Sequence, residues 1–287
     1  MRILYRKRSY VFLAQGGISH IVPEAMERAF STVEGFYRKC KDYNVRHILS
    51  VGTSALRTAD NRFIFLNEIE KKYRIRPEII DGNREAELIY KGMILACPAY
   101  QSDALMMDIG GGSTEFTITD QSKVIYQTSL VMGLGELSNK FPLSDPITSE
   151  ETEIIYEFMT HIGKDLISAI RKHQPIHLIG GSGTFDVLAN ALTGSEFGNV
   201  ANTCTTADPD QFEKYINSII ISDLQQRIQN PDIPDKRIRL IVHACLSIQW
   251  ILNINRFERI VFSKYALKEG LLKEYYDQWK VNRKLFD

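Results

Sequence analysis

The sequence lacks the marks of several classes of protein. No apolar run reaches the roughly 18 residues that cross a membrane, and the N-terminus has no apolar signal region. Lys and Arg total 35, as do Asp and Glu, so no net positive charge draws the chain to nucleic acid. The six histidines include no H-E-x-x-H metal pattern. These absences predict a cytoplasmic protein that binds neither membrane nor nucleic acid.

Cysteine is also scarce, and its spacing excludes the common cysteine motifs. The four cysteines are far apart and never form C-x-x-C; they are Cys40, Cys97, Cys204 and Cys245. This spacing favours reduced thiols of the cytosol over a disulfide framework.

What the sequence does contain is an alternation of strand and helix patterns over 287 residues, 44% of them hydrophobic. The opening segment MRILYRKRSYVFLA alternates like a strand, and short apolar segments before GTS and DGN precede helical patterns. This alternation predicts an α/β fold. The segment CPAYQSD, residues 97–103, interrupts the pattern and is the predicted domain boundary.

The second half continues the alternation. Thr148 and Glu151 predict a capping box, followed by one helical stripe that continues to Lys172. A long helix is predicted over residues 237–252, then a last strand, ERIVFSK, and a final helix from ALKEGLLKEYY.

The segment DIGGGSTE, residues 108–115, carries the clearest chemical signal. Glycines let backbone N–H groups approach phosphate closely, but neither G-x-G-x-x-G nor G-K-[ST] is present, and a strand follows. The pattern predicts a strand–turn–strand hairpin whose tip holds a phosphoryl group. Asp108 and Glu115 flank the turn as oxygen ligands suited to Mg²⁺. The alternative is a plain hairpin turn, although three glycines exceed what a tight turn needs.

Three further features add to this signal. GGSGT, residues 180–184, follows an apolar strand and opens a helix, where amides and the helix N-terminus both favour phosphate. Arg57 lies one turn into a helix and can contact phosphate through its guanidinium, or it can be an exposed helix arginine. Glu85 and Glu87 face different ways on a helix, so at most one enters a given cleft. Either of them can instead be a solvated glutamate.

These motifs occur together in a recognisable order: SVGTSALRTADN, IIDGNREAELIYKG, DIGGGSTEF, SLVMGLGEL, LIGGSGTFD and ALKEGLL. In this order they resemble the exopolyphosphatase/guanosine pentaphosphate phosphohydrolase family over most of the chain. That family belongs to the actin-like ATPase superfamily. The resemblance therefore implies a two-lobed, ribonuclease H-like α/β fold with an interdomain cleft. The implied lobes are residues 1–97, joined by the C-terminal helix 269–287, and residues 98–268.

The resemblance implies a role for each matching residue. Glu85 resembles the general base that takes a proton from the attacking water, and Arg57 matches an arginine that contacts phosphate. Asp108 and Glu115 resemble the carboxylates of a magnesium site. Glu87 lies where the family varies and is interpreted as a surface residue. The phosphate-gripping loops are represented by Gly110, Gly111, Gly112, Ser113, Thr114, Gly181, Ser182, Gly183 and Thr184.

The implied function is that of a cytoplasmic, Mg²⁺-dependent phosphatase, with a homodimer as one expected assembly. It would release terminal phosphate from inorganic polyphosphate, or the 5′-γ-phosphate from guanosine pentaphosphate, a nucleotide of the stringent response. Two other functions stay open. One is a non-catalytic sensor that binds polyphosphate or an alarmone nucleotide, and the other is a small-molecule kinase of the same superfamily.

The sequence departs from the family in three places. No D-x-G-S/T-N loop, the family's first phosphate-binding segment, precedes MRILYRKRSY. Either the chain lacks its natural N-terminus, or this variant has lost a phosphate clamp and a core strand, which would expose a sheet edge. Ala266 and Lys268 replace a glycine and an arginine, and the extra domain of long exopolyphosphatases is absent, as in the short, two-domain type.

A basic run near the start of the chain is interpreted as a solvated strand face rather than a polyphosphate track; it comprises Arg2, Arg6, Lys7 and Arg8.

Overall fold

The fold is described from a computed structural model, for residues 3–194 and 202–284, with side chains through residue 282. The helices are α1 (Pro23–Asp42), α2 (Ser54–Thr58), α3 (Arg62–Tyr73), α4 (Gly82–Ala96), α5 (Leu134–Lys140), α6 (Ser149–Ile162), α7 (Lys164–His173), α8 (Ser182–Thr193), α9 (Pro209–Ile220), α10 (Leu224–Gln229), α11 (Ile241–Ile254) and α12 (Leu267–Lys284). The strands are β1 (Val51–Gly52), β2 (Glu78–Ile79), β3 (Ala104–Ile109), β4 (Thr114–Asp120), β5 (Lys123–Leu130), β6 (His177–Gly181), β7 (Cys204–Ala207) and β8 (Arg259–Ser263). Within these ranges no helix is both long and apolar enough to cross a membrane.

A six-stranded sheet organises the second half of the chain, in the order β5-β4-β3-β6-β8-β7. Strands β3, β6 and β8 are parallel, whereas β4, β5 and β7 run antiparallel to the strand beside them. Every residue of β3 is buried, because its side chains point alternately into two hydrophobic clusters. This burial explains the nearly continuous apolar sequence ALMMDI. The predicted strand–turn–strand hairpin is present as β3 and β4.

The first half of the chain contains a much smaller sheet. β1 and β2 are parallel and pair over only two residues each. A separate core of α1, α2 and α3 packs beside them, with Ile21, Ala25, Phe65 and Ile69 almost fully buried. The apolar segments before GTS and DGN are thus strands, but shorter ones than their sequences predicted.

The predicted opening strand is not formed. Residues 3–12 are irregular, and an isolated bridge joins Gln15 and Gly17 just beyond them. A strand exists only where a neighbouring strand accepts its backbone hydrogen bonds, and in the described part of the chain none lies alongside this segment. The alternation of apolar and polar residues is therefore not enough by itself to form a β-strand here.

Two predicted helices also differ in their bounds. The stripe from Ile155 to Lys172 is divided into α6 and α7 at Gly163, where an added Cβ would lie 2.6 Å from the Trp250 ring. The close packing of Trp250 at this point explains the break. The helix predicted over residues 237–252 is a 3₁₀ turn followed by α11.

The predicted capping box is present: Glu151 N donates to Thr148 Oγ1 at 3.2 Å, and Thr148 N donates to Glu151 Oε2 at 2.9 Å.

Helix α12 packs tightly along α4, and two glycines permit the close approach. An added Cβ on Gly92 would lie 2.0 Å from the carbonyl oxygen of Ala266, and one on Gly270 would lie 1.8 Å from that of Leu88. The backbones of the two helices are therefore in direct contact. Helix α4 also contacts β4 and β5, which places its N-terminal turn beside the glycine-rich hairpin.

Candidate active site

The hairpin of β3 and β4 places two carboxylates side by side. Asp108 and Glu115 are directly opposite each other in the antiparallel ladder, and both are almost fully buried. Glu115 Oε1 accepts a hydrogen bond of 2.7 Å from Ser129 Oγ on β5. Directly opposed side chains in a ladder have Cβ atoms about 5 Å apart. The two carboxylates can therefore contact one small ligand.

The loop between these strands, residues 110–113, is referred to as the triple-glycine loop. Gly110 N donates to Ser113 O at 2.9 Å, and the amides of Leu134 and Gly135 donate to Gly110 O and Gly111 O at 3.0 and 2.7 Å. The start of α5 thus fixes the backbone of the loop. Gly133 permits this contact, because an added Cβ there would lie 2.5 Å from backbone atoms of the loop.

Glu85 enters the site from the first turn of α4. The Asp81 side chain caps this helix by accepting from Arg84 N at 2.8 Å. Glu85 is 7% exposed, and its Oε2 lies 3.3 Å from Arg57 Nη1, which also donates to Ile80 O at 2.7 Å. The structure therefore places Arg57 and Glu85 together in the site. The alternatives of an exposed helix arginine and a solvated Glu85 are wrong.

The second glycine loop, residues 181–184, joins the same site; it is a direct turn in which Gly181 ends β6 and Ser182 begins α8. Gly181 is the ladder partner of Asp108 in the parallel pair of β3 and β6. Ser182 Oγ donates to Asp108 Oδ2 at 2.7 Å, and Ser182 has a left-handed backbone with φ of 65°. Such a conformation is uncommon for a residue with a side chain. Ser182 is thereby held against Asp108, and the two glycine loops lie on neighbouring strands.

Burial controls the charge of the three acids Glu85, Asp108 and Glu115, referred to as the carboxylate site. Burial raises the pKa of Asp108 to about 6, against the opposing hydrogen bond from Ser182. Burial raises the pKa of Glu85 to about 7, although Arg57 opposes the shift. Burial, and then the negative charge of Glu85, raises the pKa of Glu115 to about 8. A site in which acids bind protons this readily is short of positive charge.

This deficit of positive charge fits a divalent cation at Asp108 and Glu115. Oxygen ligands are those that Mg²⁺ prefers, and it commonly takes one or two carboxylates together with water and phosphate oxygens. No group of three or more His, Cys, Asp or Glu side chains in the described ranges is arranged to hold a metal ion by itself. A cation bound here would therefore complete its coordination with water and substrate.

Sequence reasoning missed several residues around the second glycine loop. Arg8, interpreted as part of a solvated strand face, is 44% exposed, but its Nη1 lies 2.6 Å from Asp186 Oδ2 and near Gly183. Arg237 Nη1 donates to Thr184 Oγ1 at 3.2 Å. Contacts between residues this far apart in sequence leave no local pattern by which to find them. Arg2 of the same run lies outside the described residues.

Glu87, interpreted as a surface residue, is only half-exposed. Its carboxylate bonds Arg84 Nη1 at 2.7 Å and Lys91 Nζ at 2.6 Å. Both cations also bond Glu274 on α12. Glu87 thus belongs to an interhelical ion-pair cluster on a different face of α4 from Glu85.

Comparison with known proteins gives three informative likenesses. The model of the Ppx/GppA phosphatase family matches residues 1–278. A putative exopolyphosphatase of Haemophilus influenzae is 25% identical over 95% of this chain and 83% of its own length. A guanosine-5′-triphosphate,3′-diphosphate pyrophosphatase of Aeromonas salmonicida is 38% identical over 86% of this chain, which spans only 49% of that relative.

A solved structure matches the fold closely. An exopolyphosphatase from Cytophaga hutchinsonii superimposes with a TM-score of 0.90 and 31% identity, over 96% of this chain and 90% of that one. This likeness confirms the predicted α/β fold of the actin-like ATPase type.

Proposed function

The chain belongs to the Ppx/GppA phosphatase family, and on this premise we propose that it releases the terminal phosphate of inorganic polyphosphate. Family membership confirms the resemblance predicted from the ordered motifs, and with it the class of reaction, hydrolysis of a phosphoric anhydride. The observation that carries the proposal is the placement of Glu85, buried and bonded to Arg57, beside Asp108, Glu115 and the two glycine loops.

Glu85 is the proposed general base. Its pKa of about 7 suits a group that must take up a proton near neutral pH. In the proposed step Glu85 accepts a proton from water as the water oxygen bonds to the terminal phosphorus. The bond from that phosphorus to the bridging oxygen breaks, and the shortened chain leaves with the electron pair.

The remaining residues position the phosphoryl group. Arg57 is close enough to Glu85 to contact both the base and a phosphate oxygen. The amides of the triple-glycine loop and of the second glycine loop are proposed to bind the oxygens of the terminal and neighbouring phosphates. Phosphoryl transfer depends mainly on such positioning and on charge neutralisation.

We also propose that Mg²⁺ is bound by Asp108 and Glu115. When bound, it would supply positive charge to the phosphoryl oxygens. A thermal-unfolding experiment tests this without measuring turnover. We expect Mg²⁺ to raise the melting temperature of the wild-type protein and to leave that of Asp108→Asn unchanged. An equal rise in both proteins would contradict the assignment.

A second substrate, guanosine pentaphosphate, is supported by the 38% identical relative that acts on a guanosine triphosphate-diphosphate according to its name. Phosphate release from each substrate, measured with Mg²⁺ and compared as kcat/KM, decides between them. We expect the larger value for polyphosphate, and a larger value for the nucleotide would reverse the assignment. Calorimetric binding of either ligand without any phosphate release would instead support the non-catalytic sensor.

Two broader expectations also stand as proposals. All four cysteines are free thiols, which supports a cytoplasmic location. Self-association as a homodimer is to be measured by light scattering in solution.

A further inference from the structure

Two of the four cysteines, 107 positions apart in the chain, share one small core cluster. Cys97 follows the last residue of α4 and is 1% exposed. Cys204 is the first residue of β7, is only partly buried, and packs against the same cluster. The remaining two cysteines lie elsewhere: Cys40 on α1 and Cys245 in the core of α11.

The contacts around these cysteines place both of them beside the end of β8. Cys204 is the ladder partner of Ser263 in the antiparallel pair of β7 and β8, so both side chains lie on one face of the sheet. The Cys97 sulfur lies 3.7 Å from the carbonyl oxygen of Phe262, the residue before Ser263. The two thiols therefore lie close together in the same cluster, near enough for each to shift the pKa of the other.

We propose that Cys97 and Cys204 form a reversible disulfide when the protein meets a two-electron oxidant such as hydrogen peroxide. The two thiols have different roles. Cys204 is the more accessible of the pair, and its interaction with the Cys97 thiol lowers its pKa, which favours the reactive thiolate. The same interaction, and then burial, raises the pKa of Cys97, so this thiol reacts second.

The reaction balances with peroxide as the oxidant. The Cys204 thiolate attacks one peroxide oxygen, the O–O bond breaks, and a sulfenic acid forms with release of hydroxide. The Cys97 sulfur then attacks the Cys204 sulfur and loses its proton, and the sulfenic oxygen leaves as water. Overall, two thiols and one peroxide yield one disulfide and two waters, and a dithiol reductant reverses the change.

The disulfide would join the end of α4 covalently to the edge strand of the large sheet. Cys97 ends the helix whose first turn carries Glu85, and Cys204 lies on the edge strand of the large sheet. Cys97 is also the first residue of the predicted domain boundary, residues 97–103. Oxidation would therefore fasten α4 to the sheet across that boundary.

Peptide mapping tests the proposal directly, since trypsin places each cysteine on a different peptide. Folded protein is treated with hydrogen peroxide, its remaining thiols are alkylated, and the digest is analysed by mass spectrometry with and without dithiothreitol. We expect free thiols to fall from four to two, with peptides 92–123 and 173–214 joined until dithiothreitol separates them.

Variants provide the controls. Cys204→Ser is expected to abolish the joined peptide, whereas Cys40→Ser and Cys245→Ser should retain it. Four free thiols after oxidation, a joined pair containing residue 40 or 245, or a sulfinic acid on Cys204 without the joined peptide would each overturn the proposal. Protein oxidised in denaturant should lose the preference for this pair, because the folded contacts create it.

Discussion

Glu85 and Glu87 are two residues apart on helix α4, yet their surroundings give them opposite properties. Glu85 faces the buried carboxylate site, where burial raises its pKa to about 7. Glu87 faces α12, where hydrogen bonds from Lys91 and Arg84 lower its pKa. Residues at i and i+2 lie on different sides of a helix. One helix therefore carries both a candidate base and a structural ion pair.

The two regions also differ in how their charges are balanced. In the interhelical ion-pair cluster, Arg84 and Lys91 offset the charges of Glu87 and Glu274, and their hydrogen bonds lower the pKa of Glu274 to about 2. In the carboxylate site three acids share few cations, and the pKa of each is raised. Uncompensated buried charge of this kind is common at functional sites. Balanced charge is typical of a structural contact.

The largest expected difference between the regions is in turnover. Removing the base should lower kcat of Glu85→Gln by roughly 10²- to 10⁴-fold, because a positioned base contributes about that much. Glu87→Gln, the matched control on the same helix, should stay within about twofold of wild type. Steady-state phosphate release measures both. Wild-type turnover in Glu85→Gln would show that another group is the base.

Packing of the triple-glycine loop gives the next largest effect. Gly133→Ala should lower the free energy of unfolding by about 1–3 kcal/mol, because its Cβ would lie 2.5 Å from backbone atoms that cannot move easily. Gly111→Ala is the control, since an added Cβ there meets nothing within 4 Å. Urea unfolding of both variants measures the difference. Equal free energies of unfolding for Gly133→Ala and Gly111→Ala would mean that the contact between α5 and the loop has room for a methyl group.

The pH dependence of stability should have opposite signs in the two regions. A carboxyl whose pKa is raised on folding binds more protons in the folded state, so the free energy of unfolding falls as pH rises. For Glu115, with a pKa of about 8, this fall runs from about pH 4.5 to about pH 8. The stabilisation from Glu274 is present above about pH 4.5 and is lost as pH falls towards about 2.

Urea unfolding of metal-free protein across this range checks both signs. We expect the decline above about pH 4.5 to be shallower in Glu115→Gln than in wild type. The loss of stability below that pH should be smaller in Glu274→Gln. If the free energy of unfolding depends on pH in the same way in wild type and Glu115→Gln, the Glu115 carboxyl is solvated in the folded protein.

The smallest expected effect comes from weakening the interhelical cluster. Glu274→Gln should lower the free energy of unfolding by about 1 kcal/mol, because its charge is only partly exposed and contacts two cations. Asp277→Asn is the control on the same helix: it pairs with the exposed Lys273, and a loss of about 0.3 kcal/mol is expected. A larger loss for Asp277→Asn would reverse this ranking.

Much of the site was predictable from the sequence because its parts are local. The strand, glycine loop and strand of residues 104–120 formed as predicted. Residues 177–193 formed the predicted strand and helix, although the two join directly at Gly181 and Ser182. The order of the motifs then identified the family, and the family resemblance predicted that Glu85 and Arg57 belong to the same site. The catalytic and metal-binding roles of these residues stay predictions until the variants are measured.

Errors in the prediction share one cause, namely dependence on distant partners. The opening segment has strand-like alternation but no neighbouring strand in the described chain, so residues 3–12 are irregular. Gly163 divides a continuous helical stripe because Trp250, from α11, packs against it. Glu87 was interpreted as surface because nothing local shows that Arg84 and Lys91, which bond it, also bond Glu274 on α12, 190 and 183 positions away from them.

The sequence by itself determined the features set by neighbouring residues: strand and helix periodicity, the capping box and the glycine loops. It also determined the family, through the order of its motifs. Only the tertiary structure decided which carboxylates are buried together, that Arg8 and Arg237 meet at the second glycine loop, and that Cys97 and Cys204 share one core cluster. The physical reason is that burial and charge are properties of a surrounding space. That space is built by residues tens to hundreds of positions apart.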